Sequence, residues 1–247
     1  LHCYNTQIQD LSAVKSLVNL KELYAYSTAI TNLDAVKNLQ NLTYLKCYNT
    51  HIKSLAPLSE LKNLKVLHCN KTSITDLKPL ANLKNLHELD CSTTQISDLT
   101  ALKNLKNLTN LVCYSTPIYS LDAISSLHNL KELNCSNIQI TDLSALSRLR
   151  NLQKLDCSST QISSLIPIQD LENLTTLNIA STQINNLKAL ESFKRLKALD
   201  LSGTPIHSVK ELEILDKLKF VKAQNTNVSE QELNDFKRKH KGTRVEI

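Results

Sequence analysis

Apolar residues recur along the whole chain with a fixed period of 22 residues, without an insertion or deletion. Each period begins with an apolar residue, which we number position 1 of a repeat. The eleven residues in this column are Leu1, Leu23, Leu45, Leu67, Leu89, Leu111, Leu133, Leu155, Leu177, Leu199 and Val221. A period of this length is typical of a solenoid, in which each unit buries its apolar face by stacking on its neighbours. We therefore expect about eleven stacked units.

The order of positions within one unit predicts its local structure. Positions 20 to 4 alternate as in a short strand, whereas apolar residues from position 11 onward recur every three, which favours a 3₁₀ or irregular turn. Position 10 is Asp, Asn or Ser in the first ten units, and the side-chain oxygen of these residues can accept an N–H at the start of that turn. Position 19 is Asn in eight successive units, Asn19 to Asn173, and we expect these residues to take the left-handed conformation that returns the chain to the next strand.

Two further columns indicate buried architecture. Position 6 is Thr in ten of eleven units, so we expect its hydroxyl to bond backbone groups of the loop and of the next coil; Ile138 breaks this column and predicts a locally altered turn. All seven cysteines occupy position 3, namely Cys3, Cys47, Cys69, Cys91, Cys113, Cys135 and Cys157. Other units carry Ala25 or Ile179 there, which favours inert core thiols over a metal or redox ladder.

The unit L-x-x-L-x-C-x-x-T-x-I-x-x-L-x-x-L-x-x-L resembles a leucine-rich repeat. Its length and the segment I-T-D-L-K-P-L at residues 74–80 are similar to the internalin-type repeats of bacterial surface proteins. The resemblance implies an α/β solenoid shaped as a horseshoe, with parallel strands on the concave face and short 3₁₀ or irregular turns on the convex face. It also implies a secreted or bacterial cell-surface protein that grips protein partners with the concave face. Two columns depart from the family pattern. Thr occupies the position at which the family usually has a row of Asn, and Cys often occupies the position of the second strand leucine.

Composition and motifs give little support for other classes of function. The formal net charge is +6, and because the basic residues are spread over every repeat, we interpret them as a solvated surface and expect no nucleic-acid partner. The sequence has no apolar run near the length of a membrane span. With two glycines, scattered histidines, no G-x-S-x-G motif and no phosphate loop, we expect no enzyme, catalytic residue, cofactor or metal.

Tyrosines supply the candidate binding site. Six of the seven lie in columns that should point outward from the concave strands, and five of these six fall in the first three units. Tyrosine offers a large contact area with a polar tip and is enriched in binding surfaces. The predicted partner-binding residues are Tyr4, Tyr24, Tyr26, Tyr44, Lys46, Tyr48, His68 and Lys71. A protein partner is the first hypothesis; a carbohydrate or cell-wall ligand, and a sensor segment of a larger multidomain protein, are the alternatives.

The two ends of the array differ. Residues 1–228 are interpreted as leucine-rich repeats and residues 229–247 as a C-terminal helix–strand cap, which begins with a capping box at Ser229 and Glu232. The first unit starts directly with a strand, and no N-terminal cap precedes it in the sequence. We expect either missing upstream sequence or stacking of this edge on another subunit.

Overall fold

The computed structural model describes residues 1–246 of the chain. These residues form two compact units, residues 1–130 and residues 131–246. Each unit is a stack of coils, most of them 22 residues long, and most coils contribute one three-residue strand and one short 3₁₀ turn.

The first unit contains five parallel strands. They are β1 (Glu22–Tyr24), β2 (Tyr44–Lys46), β3 (Val66–His68), β4 (Glu88–Asp90) and β5 (Asn110–Val112). Each strand pairs with the next in a register of one full repeat, so that Leu23 lies beside Leu45 and Leu45 beside Leu67. His2 adds an isolated parallel bridge to Tyr24. A sequence column therefore becomes a straight row of side chains across the sheet.

The second unit continues the pattern with six parallel strands. They are β6 (Glu132–Asn134), β7 (Lys154–Asp156), β8 (Thr176–Asn178), β9 (Ala198–Asp200), β10 (Phe220–Lys222) and β11 (Arg244–Glu246). The register of 22 residues holds from β6 to β10, whereas Val221 of β10 pairs with Val245 of β11.

Ten 3₁₀ turns lie on the side of the coils opposite the strands. They span Ser12–Val14, Asp34–Val36, Ala56–Leu58, Lys78–Leu80, Thr100–Leu102 and Asp122–Ile124 in the first unit, and Ser144–Leu146, Ile166–Ile168, Lys188–Ser192 and Lys210–Ile214 in the second. The predicted architecture of parallel strands and 3₁₀ turns is thus confirmed. Apolar residues spaced three apart favour a 3₁₀ turn because this turn has three residues per turn, which places them on one face.

The side chain at position 10 closes the start of each turn, as predicted. In all ten coils its oxygen accepts the backbone N–H two residues later, at 2.7–3.2 Å. The formal N-cap residue is the apolar residue at position 11, as at Leu11 and Leu33. The polar residue at position 10 therefore satisfies an otherwise unbonded N–H, although it lies one residue before the formal N-cap.

The left-handed residue is at position 5, and its prediction at position 19 is wrong. Ten non-glycine residues of this column have φ between 51° and 56°, and Gly203 has φ 67°. The asparagines of position 19 serve a different purpose, because the side-chain N–H₂ donates to a backbone carbonyl of the preceding coil at 2.8–3.0 Å. Such bonds start at Asn41, Asn63, Asn85, Asn107, Asn129 and Asn173.

The threonines of position 6 form one bond repeated in every coil that has them. Each hydroxyl donates to the carbonyl of position 3 in its own loop, at 2.5–3.0 Å. Ile138 lacks the hydroxyl and is 3% exposed. The preceding Asn137 nevertheless keeps φ 51°, so the left-handed conformation at position 5 is retained here without the hydroxyl.

The core consists of the apolar columns between the strands and the turns. Position 1 is fully or almost fully buried from Leu23 onward. Six of the cysteines are buried and Cys3 is partly exposed, and all seven remain thiols. Burial raises the pKa of the Cys47 thiol to about 12, and such a thiol is a poor nucleophile.

The last repeat is followed by an α-helix, α1 (Glu230–Lys239), and by β11. Ser229 Oγ accepts the backbone N–H of Glu232 at 3.2 Å. The Glu232 carboxylate accepts instead from the Ser208 hydroxyl and the Val209 N–H, so the helix start is tied to the preceding repeat. The division into repeats at 1–228 and a cap at 229–247 stays our interpretation.

Candidate functional site

Positions 22, 2 and 4 of each repeat lie on the side of the strands that faces solvent, which we call the strand face. In the first unit the strand face carries an aromatic cluster. Tyr4 and Tyr44 are exposed, at 38% and 37%, whereas Tyr24, Tyr26 and Tyr48 are half-buried. The structure brings these five residues together because successive coils place the same column in register.

Three tyrosines of position 4, Tyr4, Tyr26 and Tyr48, stack face to face, and we call them the tyrosine ladder. The ring centroids of Tyr4 and Tyr26 are 4.6 Å apart with an interplanar angle of 4°. Those of Tyr26 and Tyr48 are 4.4 Å apart at 7°. These distances match the spacing of adjacent strands, about 4.8 Å. The two faces of the Tyr26 ring are therefore covered, and this ring presents its edge and its hydroxyl group to solvent.

A second row runs beside the ladder through position 2. The His2 ring stacks on Tyr24 with centroids 4.5 Å apart, and Lys46 Nζ lies 5.9 Å from the centroid of the same ring. His2 and Lys46 belong to the coils before and after Tyr24, so they cover opposite faces of its ring. The Tyr24 hydroxyl donates to a Glu22 carboxylate oxygen at 2.9 Å. Sequence reasoning did not place His2 and Glu22 among the site residues.

The remaining two predicted residues lie at the border of this cluster. His68 Nε2 is 2.6 Å from a Glu88 carboxylate oxygen, so this imidazole is held on the strand face by an acidic neighbour. Lys71 is exposed and occupies the left-handed position 5 of its loop. It lines an open groove of about 420 Å³ together with Asn49 and His51. Sequence reasoning did not identify this groove, although it is lined by the loop residues that follow each tyrosine of the ladder.

Two phenols of the cluster, those of Tyr24 and Tyr48, have a raised pKa. The hydrogen bond to Glu22 raises the pKa of Tyr24, with burial as a smaller cause. For Tyr48, burial comes first and the neighbouring Tyr26 hydroxyl second, and both raise its pKa. At neutral pH these hydroxyls can therefore donate as well as accept hydrogen bonds.

The described residues show no other constellation that points to chemistry. Within residues 1–246, no group of three or more His, Cys, Asp or Glu side chains is arranged to hold a metal ion. None of the helices in this range has the length and apolar character that crossing a bilayer requires. A groove of about 730 Å³ in the second unit lies between the turns Ile166–Ile168 and Lys188–Ser192. Ile166, which is 65% exposed, is one of the apolar residues that line this groove.

Comparison with known proteins agrees with the geometry. A family model for leucine-rich repeats in two copies matches residues 18–60, 40–80, 62–104, 106–148 and 150–194. The chain therefore belongs to the leucine-rich repeat family. No curated protein matches it by sequence at a significant level.

Among solved structures, the repeats are similar to those of internalins. The internalin InlF from Listeria monocytogenes superimposes with a TM-score of 0.91 at 27% identity, over 97% of this chain and 70% of that protein. Internalin C2 from the same species gives a TM-score of 0.71 at 30% identity, over 77% and 81%. InlJ of Listeria monocytogenes, whose functional domain is described as including a cysteine ladder, gives 0.70 at 25% identity, over 93% and 59%. The protein is thus a leucine-rich repeat protein of internalin-like type.

Proposed function

We propose that this protein is a non-enzymatic recognition module that binds a protein partner through the strand face of its first repeats. Leucine-rich repeat proteins typically act as protein-interaction modules. The contact surface would be the tyrosine ladder together with Tyr24, Tyr44, Lys46, His68 and Lys71. The observation that carries the proposal is the ladder itself, which places large aromatic side chains on a face where other coils carry Ser92, Ser136 or Ser158.

The orientation of the rings favours a protein partner over a sugar. A carbohydrate ring stacks on an open aromatic face, but Tyr26 has a ring on each side and Tyr24 is covered by His2 and Lys46. These two rings offer their hydroxyls and edges, and Lys46 and Lys71 add two ammonium groups. These groups suit the backbone carbonyls, carboxylates and apolar side chains of a polypeptide, and buried tyrosines are frequent hot spots of protein interfaces.

Paired substitutions test the proposal. Tyr26→Ser with Tyr48→Ser removes the centre of the ladder, and serine is native to this column in four coils, so the fold is expected to remain. The control is Tyr114→Ser with Tyr119→Ser, which removes two tyrosines outside the cluster. Each protein is immobilised and exposed to a displayed protein-fragment library from cells that carry candidate partners, and to a glycan array.

We expect a fragment that binds the wild type and the control equally, and the ladder variant at least about 30-fold more weakly, corresponding to about 2 kcal/mol. Circular dichroism melts of all three proteins separate binding from folding. Equal affinity of the ladder variant would overturn the proposal. Binding to glycans alone would favour the carbohydrate alternative, and an equal loss of binding and melting temperature would assign the ladder a structural role.

A further inference from the structure

We propose that the tyrosine ladder is a site of oxidative modification, at which neighbouring rings are joined into dityrosine by a peroxide and a haem peroxidase. This inference does not depend on partner binding. It follows from the spacing of Tyr4, Tyr26 and Tyr48 and from the scarcity of other oxidisable groups at the surface.

The first argument is proximity. Coupling joins the ring carbons next to the two hydroxyl groups, and the rings of Tyr26 and Tyr48 are 4.4 Å apart and almost parallel. The in-register strands place these carbons of one ring beside those of the next. Two reactants held in contact react as if at very high concentration, so coupling within the chain should exceed coupling between chains.

The second argument is the lack of competition. The chain contains no methionine and no tryptophan. Six of its seven cysteines are buried, and burial keeps thiols protonated and inaccessible to oxidants. Tyrosine is therefore the main side chain that a one-electron oxidant meets at the surface, and the ladder contains three of the seven.

The chemistry balances with one peroxide per cross-link. The peroxidase removes one electron and one proton from each of two phenols and reduces hydrogen peroxide to two molecules of water. The two phenoxyl radicals form a carbon–carbon bond between ortho carbons. Each ortho proton then moves to the phenolic oxygen of its own ring, which restores both aromatic systems. The product is a covalent staple between successive repeats.

The test treats the folded protein with hydrogen peroxide and horseradish peroxidase, isolates the monomer, and measures dityrosine fluorescence and cross-linked peptides by mass spectrometry. Tyr26→Phe keeps the stack and removes the central phenol, which leaves Tyr4 and Tyr48 two repeats apart. We expect intrachain dityrosine to fall at least about tenfold in this variant. The matched control Tyr119→Phe removes a solitary tyrosine that is 71% exposed and should leave the intrachain yield unchanged.

A third arm uses the wild type unfolded in urea, in which the ladder is dispersed and the intrachain yield should fall as in Tyr26→Phe. The expected cross-linked peptides join Tyr26 to Tyr4 or to Tyr48. The proposal is overturned if the monomer of Tyr26→Phe contains as much dityrosine as the wild type, or if the cross-links map to other tyrosines.

Discussion

Thr93 is a β-branched residue that the fold holds in a conformation suited to asparagine or glycine. Its φ is 52°, and the left-handed region is unfavourable for most L-residues and especially for β-branched ones. Its side chain is exposed, while its backbone N–H donates to the Tyr114 carbonyl at 2.9 Å. The backbone bond therefore fixes the conformation, and the side chain opposes it. Thr93→Asn should relieve this conflict without removing a core contact.

The magnitude follows from the conformational preference. The left-handed conformation costs a residue with a Cβ about 1–2 kcal/mol, and asparagine offsets part of this cost. We expect Thr93→Asn to stabilise the fold by about 0.5–1 kcal/mol. Thr93→Gly should gain less, because the added freedom of the unfolded chain offsets about 0.4–1 kcal/mol. In a chain of 247 residues, the gain for Thr93→Asn corresponds to a rise in melting temperature of about 1–4 °C.

Differential scanning calorimetry and urea denaturation measure both variants against the wild type. The matched control is Thr31→Asn, an exposed threonine whose φ is not positive, for which we expect a change within about 0.5 kcal/mol. If Thr93→Asn lowers stability, or if Thr31→Asn raises it equally, the stability of this turn does not depend on the left-handed conformation of position 5.

Three further predictions concern other columns. Asn85→Ala should destabilise the fold by about 0.5–1.5 kcal/mol, because it removes a bond to the preceding coil; the exposed Asn104→Ala is the control, and urea titration measures both. Ile138→Thr should leave the melting temperature unchanged or raise it, since the new hydroxyl can donate to the carbonyl three residues earlier, and a clear drop would contradict this. For Cys47, burial raises the pKa from 9.0 to about 12 in the folded state, so its contribution to stability is complete below pH 9 and is lost as the pH rises from 9 to 12. Urea midpoints across this range should fall less steeply for Cys47→Ala than for the wild type.

Most of the fold was predictable because the period assigns each column one environment. The prediction failed where one residue type serves two purposes. Asparagine suits a left-handed turn, yet at position 19 its amide bonds to the preceding coil, and the turn falls at position 5. A readable signal was present, because position 5 holds asparagine in four coils and Gly203 in a fifth. Asn and Gly share position 5 with Ser, Lys and Thr, whose side chains differ. Such a mixed column indicates a left-handed backbone more directly than a column of asparagine alone.

The candidate site was predictable as a set of neighbours but not as a surface. The register places Tyr4, Tyr26 and Tyr48 in one row, whereas their ring orientation depends on side-chain rotamers that the sequence pattern does not specify. For the same reason the pairing of Tyr24 with Glu22, and of His68 with Glu88, appeared only in the structure. These contacts decide which atoms a partner can reach.

The stacked rings also bear on how binding and stability can be separated. A stacked aromatic pair contributes about 0.5–1.5 kcal/mol beyond its buried area, so serine at Tyr26 and Tyr48 removes stacking and hydroxyls together. Phenylalanine at both positions keeps the stack and removes only the hydroxyls. If the hydroxyl row contacts the partner, the phenylalanine pair loses binding while its melting temperature stays close to that of the wild type. If the ring edges make the contact, the phenylalanine pair retains binding and only the serine pair loses it.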